Sequence, residues 1–159
     1  MNAFKAGFVA VAVFCPVSSI AQDGFPGPYY GEVTRVIDGD TFVANVSIWP
    51  NIKADISVRI AGIQAPETRR SASCDEEPYY GAQAKFALEQ ELPVGQSIRL
   101  ENVRNGSFAG RVIANVFRQN EVRGTPIETL MTRRGLAVDW IPGDDEIDWC
   151  EFFLRSAPN

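Results

Sequence analysis

The sequence predicts an α+β fold in which a small five-stranded β-barrel is accompanied by about three α-helices. Apolar and polar residues alternate along several short segments, which indicates β-strands, whereas other segments repeat their apolar residues at the helical spacing of about 3.6 residues. The chain has 159 residues, enough for one compact domain, and 45% of them are hydrophobic while 22% are charged. This composition excludes a disordered chain and a low-complexity fibre.

Three strands are expected in the first part of the chain. Residues 31–37, 41–48 and 56–63 favour β-structure, and the second and third segments alternate apolar with polar side chains. Asp38-Gly39-Asp40 separates the first two segments as a tight turn, and Trp49-Pro50-Asn51 turns the chain again. Strands that follow one another through such short turns are expected to form an antiparallel meander.

The second part of the chain is expected to contain helices and two further strands. Residues 80–92, 127–134 and 144–154 are predicted to be helices, and residues 96–103 and 111–118 are predicted to be strands. The order is therefore three strands, a helix, two strands and two helices. Five strands with a helix after the third fit a Greek-key barrel of the OB type.

The N-terminal residues are typical of a secretory signal peptide. Lys5 supplies a positive charge, residues 8–17 form an apolar run, and Ser19-Ile20-Ala21 offers small residues at a cleavage site. A membrane anchor would need about twenty apolar residues, so we expect cleavage after Ala21 and a mature chain without an anchor. The exported protein would be periplasmic or released from the cell.

These features divide the chain into four parts. We expect a signal peptide at 1–21, a linker rich in glycine and proline at 22–30, a single domain at 31–155 and a short tail at 156–159. The sequence contains no internal repeat and no second domain. We expect the protein to be a monomer.

The cysteines limit the available chemistry. Cys15 would leave with the signal peptide, so the mature chain would keep Cys74 and Cys150. In an oxidising compartment these two residues would form either one disulfide or a pair of free thiols. The chain has no histidine, which excludes Ser-His-Asp and Cys-His catalysis and disfavours a zinc site.

The charge balance is acidic. Fifteen basic residues oppose twenty acidic residues, which gives a formal net charge of −5 at pH 7. Proteins that hold long nucleic acids tightly and without sequence preference usually carry an excess of basic residues. The composition therefore disfavours that mode of binding.

Three segments contain charged residues that could take part in catalysis or binding. Residues 36–41 read VIDGDT, residues 58–68 read VRIAGIQAPET, and residues 109–112 read AGRV. Taken singly, their charged residues have ordinary explanations as a hairpin turn, a surface ion pair or a solvated loop. Asp38 in the first segment is expected to shape the turn and the local field.

Together with RRGLA at 133–137, these segments resemble the staphylococcal nuclease family in sequence and in order. The resemblance extends from about Glu32 to Cys150. Trp149-Cys150 and the loop containing Cys74 resemble the exported bacterial members. The resemblance implies the OB barrel that the strand order also favours.

The resemblance further implies calcium-assisted hydrolysis of phosphodiester bonds in DNA or RNA. Calcium requires a group of oxygen ligands. In this family pattern Asp40 supplies one carboxylate, position 64 supplies a second side-chain ligand, and the backbone carbonyl of Ala65 supplies a third.

The catalytic side chains are also implied by the resemblance. Glu67 occupies the position of the general base, which orients or deprotonates the attacking water. Arg59 and Arg111 match the two arginines that hold the scissile phosphate. Arginine suits this role because it stays charged and can donate two hydrogen bonds to one phosphate.

Gln64 departs from the family pattern, which has an aspartate there. A glutamine oxygen can bind calcium, but it brings no negative charge and is one methylene longer. We therefore expect calcium affinity to fall by at least about tenfold. Ala65 replaces a common threonine, and this change matters little because the expected ligand is a backbone carbonyl.

Three further residues have two interpretations. Arg69 and Arg70 follow Glu67 and are either substrate contacts or solvated loop residues. Trp140 either stacks on a nucleic-acid base or packs in the core.

Two functions remain compatible with the sequence. The first is a metal-dependent nuclease of low or altered activity, which explains why Asp40, Arg59, Glu67 and Arg111 occur together. The second is a non-catalytic OB-fold module that binds a ligand or a partner in the cell envelope, which Gln64 and the acidic charge favour.

Overall fold

The structure is a computed structural model that describes residues 24–68, 72–107, 110–120, 124–141, 143–144 and 147–156. The predicted signal peptide and residues 157–159 of the predicted tail lie outside the described residues. Within the described part of the chain, the elements are β1 (Gly24–Phe25), β2 (Tyr29–Val36), β3 (Thr41–Trp49), β4 (Ile52–Ile60), β5 (Ile63–Gln64), α1 (Glu77–Glu91), β6 (Ser97–Asn105), β7 (Arg111–Arg118), α2 (Ile127–Arg133), β8 (Val138–Asp139) and α3 (Trp149–Ser156).

Five strands form a closed barrel. Their order is β6-β2-β3-β4-β7, and β7 pairs again with β6 to close the ring. The strands β2, β3 and β4 form the antiparallel meander that the sequence predicts, whereas β4 and β7 run parallel. With its three helices, this mixed barrel confirms the predicted α+β fold of the OB type.

The core lies inside the barrel and under α1. Strand β3 directs Phe42, Ala44 and Val46 inward, in agreement with the predicted alternation. Helix α1 adds Leu88 and, just after its end, Leu92, which are both fully buried. One continuous apolar cluster therefore joins the helix to the barrel.

The third strand lies earlier in the chain than the sequence predicts. Strand β4 covers Ile52–Ile60 instead of residues 56–63. Asn51 adopts a φ of 65°, in the left-handed region that asparagine tolerates, so the chain reverses at once and pairing resumes at Ile52. Gly62, with a φ of 82°, lies just beyond the end of the strand.

Two helices also begin at positions different from the expected ones. Helix α1 begins at Glu77 instead of Tyr80 because Pro78 fits the first turn of a helix, where a backbone N–H is dispensable. Helix α3 begins at Trp149 instead of Asp144. Asp148 caps it, since its Oδ1 accepts the N–H of Glu151 at 3.0 Å.

The segment expected to be a linker takes part in the sheet. Gly24–Phe25 forms β1, which pairs with Val103 and Arg104 of β6, and β2 begins at Tyr29. The N-terminal part of the described chain is therefore attached to the barrel rather than detached from it.

Two features attach the C-terminal part of the chain to the barrel loops. The short strands β5 and β8 pair, so that Gln64 lies opposite Val138. Cys74 and Cys150 form a disulfide with an S–S distance of 2.11 Å, which confirms the disulfide among the two interpretations. In the described residues, no helix combines the length and the apolar character needed to span a bilayer.

A buried carboxylate joins α1 to the elements around it. Glu91, near the end of α1, is almost fully buried and accepts hydrogen bonds from the guanidinium groups of Arg118 and Arg134. Arg118 also donates from Nε to the carbonyl oxygen of Glu91 at 3.1 Å. This cluster has a structural role because it connects α1, β7 and the end of α2.

We predict that the disulfide stabilises the domain substantially. It joins residues 76 positions apart, and a cross-link of this span restricts the unfolded chain. Replacing both cysteines, by Cys74→Ser with Cys150→Ser, should lower the free energy of unfolding by up to about 4 kcal/mol. Urea denaturation of the two proteins measures the difference, and a loss below about 1 kcal/mol would contradict the estimate.

Candidate active site

The turn between β2 and β3 prepares the position of Asp40. The backbone N–H of Asp40 donates to Oδ1 of Asp38 at 3.2 Å, so Asp38 shapes the turn as the sequence predicts. Gly39 packs closely on two neighbours: a Cβ added there would lie 2.6 Å from Cβ of Ala84 and 2.7 Å from Cβ of Ala65. Only glycine therefore lets the turn lie directly on α1.

Asp40 joins three separate segments of the chain. Its side chain is 5% exposed, and its Oδ1 accepts hydrogen bonds from the hydroxyl of Thr41 at 2.7 Å and from Nη1 of Arg59 at 2.9 Å. Its Oδ2 accepts the backbone N–H of Ala65 at 3.1 Å. The carboxylate thus connects the turn, strand β4 and the loop after β5.

Arg59 is held on two sides. Its Nη2 donates to the carbonyl oxygen of Ile63 at 3.5 Å, and its guanidinium lies over the ring of Trp140, 5.7 Å from the ring centre. Trp140 reaches this position because its backbone N–H donates to the carbonyl of Gly62 at 2.9 Å. The structure therefore places Trp140 against a site arginine.

Arg111 lies on the same face of the barrel as Arg59. The parallel pairing of β4 with β7 puts Arg111 opposite Ser57 and Arg59 opposite Ile113. Side chains two positions apart on a strand share a face, and directly opposed residues of neighbouring strands point the same way. Val58 and Ile60, which alternate with Arg59, point into the core, so the two arginines point outward.

Glu67 lies in the electrostatic field of all three of these charged residues. It is partly buried in the loop between β5 and α1, and this burial is the main cause that raises the pKa of its carboxyl. The negative charges of Asp40 and Glu77 raise the pKa further, while Arg59 and Arg111 lower it. The structure thus brings together Asp40, Arg59, Glu67 and Arg111.

Asp38 adds a third carboxyl to this region. Burial, followed by the neighbouring charge of Asp40, raises the pKa of Asp38 to about 7, and Glu67 contributes in the same direction. Crowded carboxylates repel one another in this way because each disfavours the charge of the others.

The residues expected to bind calcium form a small set of oxygens. Oε1 of Gln64 is buried and has no hydrogen-bond partner within the described part of the chain. Asp40 accepts three hydrogen bonds, and a carboxylate has about four lone-pair sites. Ala65, whose carbonyl is the third expected ligand, is itself buried beside Asp40.

A calcium ion held by the expected set would have one charged protein ligand, Asp40, and would keep several water ligands. Among the described residues, no three or more Asp, Glu, Cys or His side chains come together where they could hold a metal ion. Calcium takes about six to eight oxygen ligands, and its affinity rises with the charge of the set. The set around Asp40 therefore predicts weak binding.

Gln64 and Glu67 also line a cavity of about 230 Å³. The C-terminal segment completes its wall through Asp148 and Trp149, next to the disulfide at Cys150. The indole N–H of Trp149 is buried without a hydrogen-bond partner in the described chain.

Some residues of interest are not covered by the structure. The predicted substrate contacts Arg69 and Arg70 lie outside the described residues. Their proposed roles remain predictions from the sequence.

Three residues that support the site were not expected from the sequence. Gly39 and Gly81 allow close backbone packing, and Glu77 accepts hydrogen bonds from the loop that carries Glu67. The sequence contained a signal for Gly81, because a glycine inside a predicted helix often has a packing reason such as the close approach of another backbone. No comparable signal in the sequence indicated the hydrogen bonds between Glu77 and the N–H groups of Glu67 and Ser73.

Comparison with known proteins identifies a family that the chain matches. A model of the staphylococcal nuclease homologue family matches residues 57–146, which is more than half of the chain. The matched segment contains Arg59, Glu67 and Arg111 and begins after the turn that carries Asp40. No curated protein matches the chain.

We predict that Gln64→Asp strengthens calcium binding. The change adds a negative charge and shortens the side chain, so the dissociation constant should fall by at least about tenfold. Isothermal calorimetry with calcium chloride measures the effect. Gln64→Asn is the matched control, since it has the length of aspartate without the charge. Equal affinities for both variants and the parent protein would exclude Gln64 as a calcium ligand.

Proposed function

Because the chain belongs to the staphylococcal nuclease homologue family, we propose that it hydrolyses phosphodiester bonds of nucleic acid with the assistance of calcium. One observation supports this proposal above the others. The carboxyl of Glu67 lies within the field of Arg59, Arg111 and Asp40, with Arg59 hydrogen-bonded to Asp40. A base next to two fixed cations is the arrangement that attack on a phosphate requires.

In the proposed reaction, Arg59 and Arg111 bind the oxygens of the scissile phosphate. Both stay charged at any physiological pH, and each guanidinium offers five N–H donors. The two contacts of Arg59, to Asp40 and to Ile63, leave donors for a phosphate. As the bond to the attacking oxygen forms, the charge on the phosphate oxygens grows, and the two arginines stabilise it.

Glu67 acts as the general base in this proposal. It orients a water molecule and accepts its proton as the oxygen attacks phosphorus. The bond from phosphorus to the leaving ester oxygen breaks in the same displacement, and that oxygen takes up a proton from solvent. The raised pKa of Glu67 makes its carboxylate a stronger base than a solvated glutamate.

Asp40, Gln64 and the carbonyl of Ala65 are the residues that would hold calcium. When bound there, a calcium ion would supply positive charge that offsets the charge developing on the phosphate. The neutral Gln64 weakens this contribution, so the proposed enzyme depends more on its arginines than a member with an aspartate at this position would.

The proposal includes a location and a mode of substrate binding. We propose that the mature protein is an exported monomer, because the disulfide is typical of oxidising compartments. The full chain has a formal net charge of −5, and loss of Lys5 with the signal peptide would make the mature protein more acidic, which disfavours a long electrostatic contact with DNA or RNA. Local contacts at the two site arginines would then provide most of the attraction, and affinity would depend only weakly on salt.

A second candidate function is a binding module without catalysis. It is favoured by the hydrogen bond that Arg59 makes to Asp40, because this pair neutralises the one carboxylate of the expected calcium set. In that case the same face of the barrel would bind a phosphate-containing ligand without cleaving it.

We predict that the protein cleaves denatured DNA and supercoiled plasmid when calcium is present and that a chelator stops the reaction. Glu67→Gln should lower kcat by at least about a hundredfold, since it removes the base and keeps the size of the side chain. Gel electrophoresis of the products gives the rates.

Glu128→Gln is the matched control for this substitution. Glu128 is also partly buried and accepts a hydrogen bond from Asn115 at 3.3 Å, but it lies on α2 and contacts no site residue in the described chain. Its replacement should leave kcat unchanged. Absence of cleavage by the folded parent protein at micromolar concentration would reject the nuclease and favour the binding module.

A further inference from the structure

Helix α1 presents a buried carboxylate to the loop that carries Glu67. Glu77, in the first turn of the helix, is 1% exposed. Its Oε1 accepts the backbone N–H of Glu67 at 2.9 Å, and its Oε2 accepts the backbone N–H of Ser73. One side chain thus binds the loop at two points, and hydrogen bonds from backbone N–H groups to a carboxylate are among the stronger ones.

One turn further along α1, a glycine contacts the same loop. A Cβ added at Gly81 would lie 2.3 Å from the carbonyl oxygen of Glu67 and 2.9 Å from that of Pro66. These distances are too short for any side chain, so the loop backbone lies directly on the helix. Glycine weakens a helix, which indicates that the close contact, rather than helix formation, explains its presence here.

The same helix face also supports the turn that carries Asp40. Ala84 follows Gly81 at a spacing that keeps both residues on one face, and Ala84 is the neighbour against which Gly39 packs. Glu77, Gly81 and Ala84 are all buried. One stripe of α1 is therefore in contact with both segments that supply carboxylates to the site.

We propose that Glu77 and Gly81 together position Glu67 for general-base catalysis. Glu77 accepts the backbone N–H of Glu67, and Gly81 leaves room for the carbonyl group of Glu67 to lie against α1. The peptide groups on both sides of Glu67 are therefore held in place. Glu77 is a positioning residue, since it acts through the backbone and does not touch the phosphate. This inference rests on the proposed function for the catalytic role of Glu67, whereas the loop positioning itself does not.

The first test separates turnover from binding. Glu77→Gln leaves one loop N–H without its acceptor, and Glu77→Ala leaves both, so kcat should fall by about tenfold and about a hundredfold respectively. Gly81→Ala adds a methyl group that pushes the loop away from α1. It should also lower kcat by about a hundredfold. KM for a single-stranded oligonucleotide should stay within about twofold, because Arg59 and Arg111 are carried by the barrel strands.

Two matched controls distinguish positioning from general destabilisation. Glu91→Gln changes another buried carboxylate of α1, but its partners are Arg118 and Arg134. It should lower the melting temperature and leave kcat within about twofold. Gln83→Ala raises helix propensity as Gly81→Ala does, at an exposed position, and it should change neither quantity.

Amide hydrogen exchange, measured by NMR, tests the positioning without any catalysis. In Glu77→Gln, at least one of the N–H groups of Glu67 and Ser73 should exchange at least about tenfold faster than in the parent protein, because the amide keeps one acceptor oxygen where the carboxylate has two. The amides of β3 should not change.

The outcomes are distinct. Faster exchange with no cleavage by the parent protein would reject the proposed function and support the positioning of the loop. Unchanged exchange at Glu67 and Ser73 would overturn the proposal whatever the activity. A kcat within about twofold of the parent for folded Glu77→Gln and Gly81→Ala would overturn it as well, and if Glu77→Ala fails to fold, these two variants decide.

Discussion

The arrangement of the site depends on the buried carboxylate of Asp40. A buried charge is tolerated only when it is paired and hydrogen-bonded, and Asp40 meets this condition by binding Thr41, Arg59 and the N–H of Ala65. Those partners belong to different segments of the chain. The interaction therefore fixes the position of Arg59 and of the loop that leads to Glu67 at the same time.

The barrel and α1 have complementary roles around this interaction. The barrel holds Arg59 and Arg111 through strand pairing, and the helix holds the two segments that carry Asp40 and Glu67. Membership of the staphylococcal nuclease homologue family and the grouping of these side chains point to the same chemistry. The changes that set this chain apart, above all Gln64, lie at the expected cation rather than at the base or the arginines.

The sequence was sufficient for the features that depend on local pattern or on motifs. Alternation predicted β3, and short turns predicted the meander, because each element buries one face. The motifs placed Arg59 and Glu67 in one site. The contact of Trp140 with Arg59 and the hydrogen bonds of Glu77 could not be predicted, since both join residues distant in sequence through tertiary packing. The early start of β4 was missed because it depends on the left-handed conformation of Asn51.

The closed ring of strands has a consequence for how the site responds to heat. Arg59 and Arg111 lie on neighbouring hydrogen-bonded strands, so the distance between their backbones is fixed as long as the barrel stays closed. Glu67 is instead rooted in a loop, and loops open at lower free-energy cost than core strands. On warming, the loop that carries Glu67 should therefore lose its order before the strands that carry Arg59 and Arg111 separate, and in the proposed enzyme activity should fall before the domain melts.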